Sequence, residues 1–156
     1  MLMLLFKVGN ERYAIASSEV VEVIPLIVLK NLPHTPEYLA GVFNYRGFIV
    51  PVVDLCQLML GKSCGNNWST RIILVNYCSG NHTQHILGLM AEQVVETLHK
   101  SQTEFIDAHI QIHTAPYLDK MIVDERGMIY CLDIKYLLSE TEQINSLSEN
   151  LLNTAI

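Results

Sequence analysis

Apolar residues along this chain fall in short runs punctuated by Gly, Asn, Pro and Ser, the spacing of β-strands rather than of helices. Leu2 to Val8 and Tyr13 to Ala16 flank the turn Gly9-Asn10-Glu11 and predict a hairpin. Ser17 or Ser18 is placed to cap a short helical turn. Val20 to Leu29 is a β-branched run that Pro25 confines to a sheet edge or bulge. Asn31 to Pro36, with two prolines, reads as a loop. Gly41 to Asn44 and Phe48 to Val53 predict two strands joined by Tyr45-Arg46-Gly47, and Leu55 to Leu60 one or two helical turns ended by Gly61.

The composition turns to Gly, Ser and Asn from Gly61 to Thr70, the most linker-like stretch, and the pattern then restarts. Arg71 to Tyr77, His85 to Met90 and Val94 to Leu98 predict three strands, with a polar turn at Cys78 to Thr83. Lys100 to His113 is open between loop and short helix. Lys120 to Val123 and Met128 to Asp133 flank a hairpin turn, Asp124-Glu125-Arg126-Gly127, and Ile134 to Leu138 reads as helix. The Asn-rich tail at 141–156 is helical or frayed.

The order of these elements recurs. A hairpin followed by Glu19-Val20-Val21-Glu22-Val23 is echoed by a hairpin followed by Gln93-Val94-Val95-Glu96-Thr97. Arg46-Gly47-Phe48-Ile49 leads into Asp54-Leu55 as Arg126-Gly127-Met128-Ile129 leads into Asp133-Ile134. Two such units predict two small β lobes, divided near 61–70. Each has too small a core to stand alone, so they pack on one another. The expectation is an all-β fold of two barrel-like lobes with short helices at the lobe ends.

Composition narrows the function. The 156 residues are 50% hydrophobic and 17% charged, with a formal net charge of −6, which excludes a disordered chain. That charge disfavours nucleic acid and anionic lipid as partners. The apolar start, Met1 to Phe6, is cut off by Lys7, too short to span a membrane and without the leader of a secretory signal, so a cytoplasmic protein is expected. Cys56, Cys64, Cys78 and Cys131 show no metal-binding spacing and are expected as reduced thiols.

Candidate chemistry is thin. His82 and His85 are three apart and His109 and His113 four apart, but no third zinc ligand stands at a telling distance. A His/Cys-dependent metallohydrolase is therefore the alternative reading, with Cys56 and Cys131 read as small core residues. No phosphate-binding glycine motif is present. Asp54 and Asp133, in matching places, would serve as a carboxylate pair or, preferably, as N-caps of the helices that follow. No catalytic residue, metal or cofactor is assigned. Arg46 remains: its turn either offers a guanidinium to a partner or leaves it solvated or paired with an internal carboxylate.

The segment Tyr38-Leu39-Ala40-Gly41-Val42-Phe43-Asn44-Tyr45-Arg46-Gly47-Phe48-Ile49-Val50-Pro51-Val52-Val53-Asp54-Leu55 closely resembles the signature of CheW-like coupling proteins. The likeness runs in order from about Leu4 to Glu140, through Phe6 and Tyr13-Ala14-Ile15, Leu87-Gly88-Leu89, and Met128 to Leu138. It implies a single domain over 1–140 made of two intertwined SH3-like five-stranded barrels around a shared hydrophobic core. It also implies a non-enzymatic adaptor, joining the cytoplasmic tip of a chemoreceptor (a methyl-accepting chemotaxis protein) to the C-terminal regulatory domain of a CheA-type histidine kinase. By that resemblance Arg46, with Asn44 and Gly47 of its turn and Val20 after the first hairpin, faces the receptor. The kinase docks at barrel ends through residues the resemblance does not assign. Pro116 to Asp124, Cys56 and Cys131 depart from the usual pattern, and with Ala115 to Leu118 they look more like couplers of non-flagellar signalling clusters.

Overall fold

The computed structural model describes residues 1–65, 68–78, 83–99, 104–107, 118 and 120–140. His82, His109, His113, Ala115 to Tyr117, most of 100–113 and the 141–156 tail lie outside the described residues. The strands are β1 (Leu2–Val8), β2 (Glu11–Ala16), β3 (Val20–Pro25), β4 (Leu39–Tyr45), β5 (Phe48–Asp54), β6 (Arg71–Cys78), β7 (Gln84–His99), β8 (Ile106–Asp107), β9 (Lys120–Asp124) and β10 (Gly127–Cys131). The helices are α1 (Leu55–Leu60) and α2 (Ile134–Glu140).

The fold is all-β with short helices, in two SH3-like lobes, as expected. One sheet runs β3-β6-β7-β5-β4 and the other β7-β1-β2-β10-β9-β8. β7 belongs to both. Its first half pairs with β6 and, in parallel, with β5, while its second half pairs antiparallel with β1. The sequence pattern predicts two separate strands here. They are one because nothing between Met90 and Val94 breaks the chain; a register shift against Leu5–Lys7 and a left-handed Gln93 (φ 46°) bend it instead.

The expected division of the lobes near 61–70 is corrected by this pairing. That stretch joins α1 to β6 inside one sheet, so it separates the two sequence units and not the two lobes. The lobes are built by exchange. The valine segment after the first hairpin, β3, crosses to pair with β6, and the valine segment of β7 crosses to pair with β1. Each unit then returns through an Arg-Gly hairpin whose second strand lies parallel to the other elements: β5 along β7, β10 along β2. The strand expected over Val20–Leu29 ends at Pro25, which has no N–H to continue the ladder. Neither Ser17 nor Ser18 caps the 3-10 turn at Ser17–Glu19, because that turn begins after Ala16, whose side chain offers no acceptor.

The exchange explains the apolar runs. On β1, Phe6 and Val8 face a core shared by both lobes, while Met3 and Leu5 face the interior of the second lobe with Ile122 and Ile129. Strands covered on both faces lose the alternation of a half-exposed sheet. Ile72 to Val75 on β6 and Val52 and Val53 on β5 are buried in the same way.

Packing leaves no room for a side chain at Gly88 on β7, where a Cβ would lie 2.9 Å from Val52 Cγ2 and 3.0 Å from Ile72 Cγ2. Both neighbours are buried, β-branched and stiff at χ1. Gly88→Ala should therefore destabilise the protein by about 1–3 kcal/mol through overpacking, read as a lowered denaturation midpoint. In the second lobe, Arg12 on β2 donates two hydrogen bonds, of 2.7 and 2.6 Å, to the carboxylate of Asp124 at the end of β9. That guanidinium holds the Asp124 carboxyl well below its ordinary value of 3.8. The folded state thus binds the proton more weakly than the unfolded chain, so this contribution is present above about pH 4 and fades as pH falls further. Arg12→Met should lower the melting temperature at neutral pH and narrow the gap to wild type below pH 4.

Candidate functional site

The signature segment can be followed residue by residue through the first lobe. Gly41, with φ 147°, lies where the chain beyond β3 returns and Lys30 exchanges backbone hydrogen bonds of 2.9 Å with Val42. A Cβ on Gly41 would stand 2.7 Å from the Lys30 carbonyl oxygen, so only glycine lets this closing bridge form. Four residues on, β4 reverses into β5 through Arg46 and Gly47 alone. Both have positive φ, 50° and 90°, the type I′ geometry that a two-residue hairpin requires. The Gly47 N–H donates to Asn44 Oδ1 at 2.9 Å, so Asn44 acts as a brace for the turn.

This geometry resolves the alternatives for Arg46. The side chain is 75% exposed, and it is also paired: Nη2 lies 3.7 Å from Glu22 Oε2, with Cζ 5.2 Å from the centroid of the Tyr45 ring. Tyr45 donates its hydroxyl to the same Glu22 oxygen, which holds the phenol above its usual pKa. Arg46 is thus aimed outward from the tip of a hairpin and steadied from beneath by an acid and a ring. Val20 stands two positions before Glu22 on β3, half-buried against the shared core, and a register shift between them sets the two opposite successive residues of β6, Val75 and Leu74. Of the four residues the sequence singles out, Asn44, Arg46 and Gly47 lie at one turn, and Val20 lies on β3, the strand that carries Glu22.

Sequence reasoning missed Glu22 and Tyr45. Tyr45 sits inside the motif, and Glu22 lies two residues after Val20, so the signal was present once β3 was known to reach the β4–β5 turn. Beside Arg46, Phe48 is 54% exposed and opens a recess lined by Ile49, Asn76, Gln84 and His85.

The residues of the hydrolase reading are committed elsewhere. Asp54 caps α1 by accepting from the Gln57 N–H at 3.1 Å, and it also accepts from Ser63 Oγ at 2.7 Å and from the Cys64 N–H at 3.1 Å. Asp133 likewise accepts from the Lys135 N–H at the start of α2. The expectation of reduced thiols is corrected: Cys56 and Cys64 are joined in a disulfide. Gly61 turns the chain at the end of α1 and Asp54 holds Ser63 and Cys64 in place, so residues eight apart in sequence meet. Asp54, Cys56 and Cys64 offer donor atoms within 4.8 Å of one another, but the carboxylate is occupied by N–H and O–H donors and the sulfurs by each other. Cys131 is buried, and His85 stacks on Tyr77 with ring centroids 5.1 Å apart. No catalytic constellation forms among the described residues.

The chain matches the family model of the CheW-like domain over residues 2–142. Its sequence is 33% identical to a chemotaxis protein CheW of Helicobacter pylori over 64% of this chain and 57% of that protein. A chemotaxis protein CheW of Klebsiella aerogenes is 28% identical over 89% of this chain and 82% of its own length. Among solved structures, the scaffolding protein TtCheW of Thermoanaerobacter tengcongensis shares the fold with a TM-score of 0.74, at 24% identity over 85% of this chain and 83% of that one.

A left-handed arginine carries a backbone cost of roughly 1–2 kcal/mol that Asn largely avoids. The exposed pair with Glu22 offsets little of it. Arg46→Asn should therefore unfold within about 1 kcal/mol of wild type in a denaturant titration. A loss well beyond that would make Arg46 an internal strut.

Proposed function

The chain belongs to the CheW-like domain family, and from that premise we propose that it is a non-enzymatic adaptor coupling chemoreceptor cytoplasmic tips to a CheA-type histidine kinase. The observation that carries this reading is Arg46: charged, exposed, and kept in a costly backbone conformation at the tip of a braced turn. A planar guanidinium so presented suits a carboxylate or a row of backbone carbonyls on a helical receptor tip, and Lys does not reproduce its fork. Asn44 and Gly47 set the turn, Glu22 and Tyr45 set the direction, and Val20 lies two residues before Glu22 on β3. The C-terminal regulatory domain of the kinase docks at barrel ends, away from this turn.

In physical terms coupling requires simultaneous docking. Receptor and kinase bind one body whose surfaces are fixed relative to each other, so each influences the other by linkage. Micromolar contacts of about −8 kcal/mol, repeated in an array, give tight assembly through effective concentration. The protein acts in the cytoplasm and reaches the membrane through its receptors. No helix among the described residues is long and apolar enough to cross a membrane. The Ala115 to Leu118 segment favours an array with a non-flagellar output.

Arg46→Glu places two carboxylates together at the Glu22 position and reverses the charge offered outward. It should weaken binding to the cognate receptor fragment by about 2 kcal/mol or more, roughly 30-fold, and leave kinase-domain binding near wild type. Arg46→Lys should recover only part of the loss. Paired affinity measurements with a thermal melt provide the check; unchanged receptor binding in a folded Arg46→Glu protein would refute the turn as the contact.

A further inference from the structure

The docking site makes no use of Cys56 and Cys64. Cys56 lies in the first turn of α1 and Cys64 in the returning loop, with their Cα atoms 5.1 Å apart. Two features keep them adjacent without the bond between them. Asp54 accepts from the Cys64 N–H and from Ser63 Oγ, so the loop is pinned to the start of the helix in either redox state. Each sulfur also has an acceptor waiting: Glu92 Oε1 lies 3.5 Å from Cys56 Sγ and the Met90 carbonyl oxygen 3.7 Å from Cys64 Sγ. A reduced pair would keep both S–H groups satisfied in place.

The two sulfurs differ in access. Cys56 is 2% exposed, whereas Cys64, 7% exposed, lines with Ser63, Asp54 and Gln57 a groove of about 550 Å³ that the apolar run Leu26 to Leu29 also lines. We infer that Cys56 and Cys64 form a reversible dithiol–disulfide couple, addressed at Cys64 through this groove by a small thiol of the glutathione class. In reduction, the small thiolate attacks Cys64 Sγ. A mixed disulfide forms and the Cys56–Cys64 bond breaks. Its electron pair leaves on Cys56, which takes a proton from water and donates it in a hydrogen bond to Glu92. A second small thiolate then attacks the small-molecule sulfur of the mixed disulfide and frees Cys64, which is protonated in turn. The protein gains two electrons and two protons, and two small thiols become one disulfide. Oxidation by the small disulfide is the reverse. The oxidised state fixes the groove wall at 63–64 covalently, and the reduced state leaves it held by Asp54 alone.

The test uses the full chain, without denaturant, equilibrated in glutathione buffers from fully reduced to fully oxidised. The samples are then quenched in acid, alkylated with iodoacetamide and weighed intact. The expected result is a reversible change of two alkylation sites, mapped to Cys56 and Cys64. The oxidised protein should melt roughly 5–10 °C above the reduced one, and the difference should vanish in Cys56→Ser. Cys56→Ser should carry one glutathione on Cys64, and Cys64→Ser none on Cys56. Four observations would each overturn the inference: no disulfide in the fully oxidised buffer, reduction only after unfolding, equal glutathione adducts on either cysteine, or one equivalent of zinc in the reduced protein.

Discussion

One strand paired on two sheets is the constraint from which the rest of the molecule follows. β7 runs as sixteen residues from Gln84 to His99, giving its first half to β5 and β6 and its second to β1. β3 performs the reciprocal crossing onto β6. Removing either crossing would open a lobe and expose edges in its place. Neither lobe is therefore an independent folding unit, and the core that contains Phe6, Ile15, Val52, Leu74 and Leu89 draws on both. The bend at Gln93 and the absent side chain at Gly88 are the local terms that let a single strand serve both sheets.

The signature segment reads differently once its contacts are known. Gly41 admits the Lys30 bridge, Asn44 braces the turn, Gly47 supplies the second left-handed position, and Asp54 starts α1 while holding Ser63 and Cys64. Most of the motif is thus architecture. Arg46 is the motif residue whose charge points outward, and even that charge is oriented by Glu22 and Tyr45. The turn is thus a small charged tip carried on a braced hairpin, its charge given both a sign and a direction.

Much of this was legible in the chain. The strands, the Arg-Gly hairpins and the aspartate caps at Asp54 and Asp133 follow from period-two patterning and turn chemistry, which are local. The exchange of valine segments was not legible, because an apolar run states that a strand is buried on both faces without naming its partner. The recurrence pointed to two units at 61–70, and the units are there, but strand pairing assigns them to lobes across that boundary. Cys56 and Cys64 looked scattered for the same reason. Their meeting depends on Gly61 ending α1 and on Asp54 recruiting the loop, two contacts that no spacing rule contains. Glu22 escaped notice because its role exists only where β3 and the β4–β5 turn come together.

An adaptor that catalyses no reaction must transmit by geometry, and geometry is transmitted only through a body that does not yield. The exchanged strands meet that requirement directly. The turn bearing Arg46 stands on β4 and β5, β5 is hydrogen-bonded along β7, and β7 continues into the second lobe beside β1. A force applied at the turn is carried by backbone hydrogen bonds into both lobes rather than absorbed at a linker. Two lobes joined by a flexible Gly/Ser segment, the arrangement a reading of 61–70 alone would give, would bind two partners while leaving their relative orientation free. The crossing strands remove that freedom, and this makes the chain suited to setting the orientation of one partner against another.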